Sequence, residues 1–180
     1  MEPSLAVGKF EHFSWIRPTG KGSFLNSPAL KSYCESRIAA GEKVIVVDLA
    51  DCTGMDSTFM GTLAGTASRL TAMDGGQLQI ADPGERNRRS LEDLGLDFLM
   101  EIDPPAADWR GRLETIRSQL TPLDPVGEGN RHERSLQVLE AHRTLSGVNH
   151  QNARSFREVV DTLEKEISTK EKLAKDDDSV

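Results

Sequence analysis

The sequence predicts an α/β domain, a mostly parallel β-sheet packed with helices, followed by a C-terminal α-helical extension. Between residues 10 and 102, strand-like and helix-like stretches alternate, and repeated β–α crossovers imply parallel strands with right-handed connections. The stretch Val44–Leu49 is apolar apart from Asp48, as strands buried on both faces are, so we expect it at the centre of the sheet. Beyond residue 130 the strand signals end, and the chain becomes charged and helix-forming.

The first elements are predicted from residues 10–41. Aromatic and apolar residues alternate loosely from Phe10 to Pro18, which predicts one or two strands, and residues 19–23 have turn chemistry. Residues 26–28, Asn-Ser-Pro, predict the start of a helix, because proline is tolerated at the first helical position. Gly41 stands where a C-cap glycine would end that helix.

The elements after the central strand follow the same alternation. A helix rich in small residues is predicted from Ser57 to Met73, where Asp-Gly-Gly at 74–76 stops it. Residues 77–81 predict a short strand, and residues 85–94 a third helix. Residues 98–102 predict a last short strand, which two prolines cut off.

The remaining residues predict helices and a linker. Apolar residues at helical spacing predict an amphipathic helix over 109–120, and two prolines and two glycines mark a linker near 121–129. Further apolar stripes run through 136–145 and 156–167. The predicted boundaries are the sheet domain at 1–121, the linker at 122–130, the helical extension at 131–175 and a disordered acidic tail at 176–180.

The helical extension has an apolar stripe that it must bury. It can fold back on the sheet domain, pair with itself as a hairpin or short coiled coil, or pair with another protein. Pairing with a second copy would make the protein a homo-oligomer. Its mixed charges do not resemble those of a basic membrane-surface helix.

Composition excludes several classes of protein. The chain has 180 residues and a net charge of −7, which argues against a nucleic-acid partner, since such proteins need a basic surface. No segment resembles a signal peptide or approaches bilayer-spanning length, so we expect no membrane association. Cys34 and Cys52 are then expected to be reduced and partly buried, and the protein to be cytoplasmic.

The sequence offers no constellation for catalysis. His12, His132, His142 and His150 lack metal-ligand spacing, and none pairs obviously with a nucleophile. Residues 20–23, Gly-Lys-Gly-Ser, lack the spacing of a phosphate-binding loop. We therefore predict that the protein is not an enzyme and has no catalytic residue, cofactor or metal site.

The Asp56-Ser57 pair is the most informative polar feature. It follows a buried strand and a turn and opens the small-residue helix, so we expect Ser57 at or near the N-cap. The pair is either a simple helix cap or a place where a charge is added and removed. Asp48, at the strand end, is expected to be structural, and Cys52 to be a small buried hydrophobe rather than a redox sensor.

The stretch from Val44 to Ile102 resembles the STAS domain, the fold shared by bacterial anti-sigma factor antagonists and the cytosolic tails of some sulfate transporters. The likeness extends weakly back to Phe10 and ends before the helical extension. The matching features are the strand ending in Asp48-Leu49, the Met55-Asp56-Ser57 turn, the small-residue helix with Gly61, Leu63 and Gly65, and the sequence Leu91-Glu92-Asp93-Leu94-Gly95-Leu96.

The resemblance implies a phosphorylation switch at Ser57. In such proteins the unmodified serine binds an anti-sigma factor that is also a serine kinase of the histidine-kinase-like ATPase type. Phosphorylation releases this partner, and a serine phosphatase resets the switch, which regulates transcription. The implied partner-binding residues are Met55, Asp56, Ser57 and Thr58. The alternative is a structural STAS subunit of a signalling scaffold or lipid-transport complex, in which Ser57 is never modified.

Overall fold

The computed structural model describes residues 2–127 and 129–179, so Glu128 of the predicted linker and Val180 of the predicted tail lie outside the described residues. The described strands form one seven-stranded sheet. Its strands are β1 (Ser4–Lys9), β2 (Ser14–Gly22), β3 (Val44–Asp48), β4 (Cys52–Met55), β5 (Gln77–Ala81), β6 (Glu101–Ile102) and β7 (Thr121–Pro122).

The sheet is mostly parallel, as predicted. Its strand order is β6-β5-β3-β2-β1-β7, with β4 paired to the second half of β2. The neighbouring pairs β2–β3, β3–β5 and β5–β6 are parallel, and β4 also runs parallel to β2. Only β1 is antiparallel, to β2 on one side and β7 on the other, among the described pairings. Strand β3 lies between β2 and β5, which confirms its predicted central position.

Helices cover both faces of the sheet. They are α1 (Ser27–Ala39), α2 (Ser57–Thr71), α3 (Gly84–Asp93), α4 (Leu113–Ser118), α5 (Arg131–Ser146) and α6 (His150–Asp177), with a 3-10 turn at Leu96–Phe98. Successive side chains of β3 point to opposite faces. Ile45 and Val47 join the main core with α1, α2 and α3, whereas Val46 joins a second cluster that contains Trp109 and Ile116 of the α4 region.

Two local differences from the sequence prediction concern the start of the chain. Strand β1 covers residues 4–9, where no element was predicted, and β2 continues to Gly22 through the predicted turn. The register of β2 against β4 shifts between Gly20 and Lys21, and Gly20 has φ +78. The glycine thus supplies a bulge inside a strand rather than a reversal of the chain.

Three further predictions were wrong in extent. The predicted helix over 109–120 is reduced to α4, because Trp109 is buried in the second cluster, where its indole N–H donates to Gln79 (2.8 Å). The predicted strand at 98–102 is a 3-10 turn followed by the two-residue β6. Asp176 and Asp177, predicted to be disordered, belong to α6.

The extension forms a helical hairpin, α5–α6, that also folds back on the sheet domain. We call residues 131–177 the C-terminal hairpin. Helix α5 packs against both α6 and α2, and Leu145 is fully buried in the main core. Within residues 2–127 and 129–179, no helix combines the length and the apolar character needed to cross a bilayer.

Candidate functional site

The start of α2 is built by a carboxylate that caps it. Asp56 has extended backbone angles (φ −89, ψ 171), and its Oδ1 accepts the backbone N–H of Phe59 at 2.8 Å. Its Oδ2 accepts the N–H of Phe24 at 2.9 Å, which fastens the loop between β2 and α1 to the helix. The N-cap is therefore Asp56, and Ser57 is the first helical residue. Ser57 therefore lies next to the N-cap, within the predicted range, but the capping oxygen belongs to Asp56, and the Ser57 hydroxyl makes another contact.

That contact is with a histidine on the C-terminal hairpin. The Oγ of Ser57 lies 2.8 Å from Nε2 of His142 in α5, and Nδ1 of His142 lies 2.7 Å from the carbonyl oxygen of Val138. Since a carbonyl only accepts, the hydrogen of the neutral imidazole is assigned to Nδ1, and Nε2 accepts the hydrogen of the Ser57 hydroxyl. Ser57 is half-buried, and His142 is only 5% exposed.

The Ser57–His142 pair was missed by the sequence analysis, which found no nucleophile beside any histidine. The two residues are 85 positions apart, so no local pattern joins them. The available signal was the position of His142 midway between the buried Leu139 and Leu145, on the stripe that the extension has to bury.

Chemically, the pair can hold or move one proton. The hydroxyl hydrogen points at Nε2, so His142 is placed to accept it if Oγ attacks an electrophile. The ring of Phe156 in α6 lies edge-on to the imidazole, with 5.5 Å between the ring centroids. This aromatic contact and the bond to Val138 fix the orientation of the imidazole.

The predicted partner-binding residues differ in exposure. Met55, Asp56 and Ser57 are half-buried, whereas Thr58 is 5% exposed and faces the interior. The large exposed side chains beside Asp56 are Phe24 and Leu25, at 50% and 68% exposure, which the sequence analysis did not single out. Their signal was a pair of bulky apolar residues in a segment otherwise rich in turn-forming residues.

The face of α2 beyond Ser57 is covered by α5 at very short range. A Cβ atom placed on Gly61 would overlap the carbonyl oxygen of Ala141 and lie 2.8 Å from its Cβ, so only glycine permits this approach. One turn further along, a Cβ on Gly65 would meet nothing within 4 Å. Gly65 borders a cavity of about 260 Å³ between α1, α2 and α5, where Lys31 and Glu140 form an ion pair of 2.6 Å.

Asp48 lies beside Trp15 of the second cluster and has a structural role. It is fully buried, and Arg117 donates to its two oxygens at 2.8 and 3.0 Å. The indole N–H of Trp15 donates to it at 3.3 Å. Hydrogen bonding to Asp48 raises the pKa of the Arg117 guanidinium, so this arginine keeps its charge.

The two cysteines are buried and poorly suited to redox sensing. Burial raises the pKa of the Cys34 thiol to about 12, and burial also raises the pKa of Cys52. Both side chains therefore stay protonated near neutral pH, and the thiolate is the reactive form. Among residues 2–127 and 129–179, no cluster of histidine, cysteine or acidic side chains has the arrangement of a metal site.

Comparisons with known proteins identify one family and a shared fold. The family model for the STAS domain matches residues 5–108. The solved structure of the anti-sigma factor antagonist SpoIIAA in its unphosphorylated form is 16% identical, with a TM-score of 0.50, and covers 63% of this chain and 98% of its own. A putative anti-sigma factor antagonist from Thermotoga maritima is 18% identical, with a TM-score of 0.52, and covers 63% of this chain and 94% of its own.

A third structure, an anti-sigma factor antagonist from Mycobacterium paratuberculosis, is 22% identical, with a TM-score of 0.51, and covers 64% of this chain and 95% of its own. At these identities the structural likeness shows the fold. The comparison with curated proteins found no significant match. The C-terminal hairpin lies outside the residues that the family model matches. The match of that model to more than half of the chain places this protein in the STAS domain family.

Proposed function

We propose that this protein is an anti-sigma factor antagonist controlled by phosphorylation. Unmodified Ser57 lets it bind an anti-sigma factor that is also a serine kinase, and phosphorylated Ser57 releases that partner. The observation that carries the proposal is a hydroxyl at the first residue of α2, not used for helix capping, in a chain of the STAS family.

The position suits a phosphate without unfolding the domain. A phosphoserine carries roughly −1.5 to −2 charges at neutral pH, and the positive end of a helix dipole favours such a charge at the N-terminus. Both backbone contacts at this helix start are made by Asp56, so a phosphate on Ser57 replaces neither acceptor. The modification therefore adds charge to this surface and leaves the cap of α2 in place.

The surface beside Ser57 offers apolar area to a partner. Phe24 and Leu25 are exposed and are fastened to the start of α2 by the Asp56 carboxylate. Burial of a dianion next to these side chains and next to Asp56 opposes docking, since an uncompensated buried charge costs several kcal/mol. That cost changes affinity by orders of magnitude. On this proposal the partner-binding residues are Met55, Asp56 and Ser57, with Phe24 and Leu25 beside them, and the buried Thr58 of the predicted set is left out.

The proposed cellular setting follows from the same mechanism. The partner is a kinase of the histidine-kinase-like ATPase type, a serine phosphatase resets the switch, and the protein acts in the cytoplasm on transcription. Co-purification with an ATP-driven transporter instead of such an ATPase would favour a structural STAS subunit.

The test is phosphosite mass spectrometry of the full-length protein isolated from its native host. We expect a phosphate on Ser57 that is absent from a Ser57→Ala variant. The matched control is Ser68→Ala, which removes an exposed hydroxyl from the same helix and should leave the phosphorylation intact. A Ser57→Ala protein that still carries its phosphate elsewhere at wild-type stoichiometry would refute the assignment.

Binding provides the second arm of this test. In calorimetry with the co-purified kinase, Ser57→Asp should bind at least about tenfold more weakly than wild type, because it places a fixed charge in the contact. Its thermal midpoint should stay close to that of the wild type. Equal affinities of the two proteins would contradict the switch.

A further inference from the structure

The helical surface that begins at Ser57 is already occupied by another part of the chain. Helix α5 lies against α2, with His142 bonded to Ser57 and Ala141 against Gly61. Leu145 of the same helix is fully buried in the main core. The contact covers the face of α2 that starts at the phosphorylatable hydroxyl.

We propose that the C-terminal hairpin is an internal competitor for this face, which must undock before a kinase or binding partner can reach Ser57. The inference rests on the proposed function in one respect, namely that Ser57 is the acceptor. It adds the regulation of that site by the chain itself.

The hairpin is built to move as one body. Asn130 and Glu133 form a reciprocal capping box at the start of α5, and Asn149 caps the start of α6. Arg143 of α5 donates to Glu164 of α6 at 2.9 Å. These contacts are internal to the hairpin, so they survive undocking.

The described part of the segment before the hairpin forms no element that would hold the hairpin in one position. Residues 124–127 have exposed side chains and no helix or strand structure. The polar contacts between hairpin and domain are few among the described residues. Besides the Ser57–His142 bond, Lys31 pairs with Glu140 at 2.6 Å, and Asn149 and Asn152 donate to the carbonyl of Leu94 at 3.3 and 2.9 Å. An exposed pair of the Lys31–Glu140 kind contributes little to docking.

Phosphorylation of Ser57 disfavours the docked state. Transfer of the γ-phosphoryl group of ATP forms a bond from phosphorus to Oγ and breaks the bond to the departing ADP. The hydroxyl proton passes to a base of the kinase, because His142 has left with the undocked hairpin. A phosphate on Oγ needs the space that His142 fills in the docked state, where Nε2 lies 2.8 Å from Oγ. The modified state therefore favours the undocked hairpin.

The test measures access to position 57 without any kinase. The full-length protein with Ser57→Cys is labelled with a maleimide, and the rate is compared in three backgrounds: no second change, Gly61→Ala and Gly65→Ala. The native thiols give a slow baseline, because Cys34 and Cys52 are buried. Gly61→Ala places a methyl group into Ala141, whereas Gly65→Ala places the same group into open space on the same helix.

We expect Gly61→Ala to speed labelling by about tenfold or more, because overpacking of so close a contact shifts the docking equilibrium by that order. Gly65→Ala should label at the rate of the unchanged background. Alanine is the better helix former at both positions, so neither change weakens α2 itself.

A second variant guards against misfolding as the cause. Ala141→Leu overpacks the same contact from the hairpin side and should give the same acceleration with Gly61 unchanged. Equal labelling in all backgrounds, or equal acceleration by Gly65→Ala, would overturn the proposal. Labelling as expected in a protein that is never phosphorylated in its host would leave the hairpin as a competitor and would refute the proposed switch instead.

Discussion

At the scale of single residues, Asp56 joins two elements through its two carboxylate oxygens. One oxygen accepts the N–H of Phe59 inside α2, and the other accepts the N–H of Phe24 in the loop before α1. We expect Asp56→Ala to lower the free energy of unfolding by about 0.5–2 kcal/mol, the range measured for lost N-caps. Urea unfolding measures the loss, and Asp56→Asn, which retains a capping oxygen, should lose clearly less. Equal losses for the two variants would contradict the capping role.

The buried carboxylate on the other face of the sheet has a larger predicted effect. Arg117→Leu leaves Asp48, which is fully buried, without its bidentate partner. We expect a loss of about 3 kcal/mol in the free energy of unfolding, since breaking a buried pair strands the remaining charge. Chemical denaturation of Arg89→Leu, which breaks the exposed pair with Glu85, is the control and should change stability by at most about 0.5 kcal/mol. A change of that size for Arg117→Leu would refute the role of the pair.

Sequence reasoning reached part of the site and no further. Asp56 and Ser57 were found because a cap and a helix start are local in sequence. Ser57's partner was not, because His142 comes from a helix that only the tertiary fold brings close. The same reason hid Arg117 as the partner of Asp48, 69 residues away.

At the scale of elements, burial on both faces decided which strands were predictable. Strand β3 is covered on both sides and therefore has an apolar sequence up to Asp48, whereas β5 places Gln77 and Gln79 between its apolar residues. Strand β4 contains Thr53 and Gly54 and pairs with only three residues of β2, so its extended form depends on that pairing. Short strands held by one neighbour leave little trace in sequence.

The sequence predicts an apolar stripe on α5, but it does not predict which face of the helix is buried. Leu139 and Leu145 are buried as expected, whereas Leu136 is 41% exposed. The buried face includes Ala141 and His142, because glycine at position 61 lets the helices come close enough for small and polar side chains to make the contact. The spacing of large apolar residues does not reveal a close contact between two helices at a glycine.

At the scale of the whole molecule, the intramolecular burial of the hairpin bears on its oligomeric state. Since the main apolar residues of α5 face the chain's own α2, a second copy is not needed to cover them. We expect light scattering to give the mass of one chain, 19.8 kDa, over a wide range of concentration. A mass twice as large would show that the hairpin pairs between chains, which was among the arrangements open from the sequence.

The short linker between β7 and α5 determines how tightly a partner must bind to displace the hairpin from α2. A segment joined by so short a linker is held at an effective concentration on the order of millimolar, whatever the abundance of the protein. A partner present at micromolar levels therefore has to hold this face about a thousandfold more strongly than the hairpin does before it occupies half of the molecules. Weakly binding proteins therefore do not displace the hairpin. Because the hairpin is part of the same chain, a change in the protein's concentration leaves the required affinity unchanged.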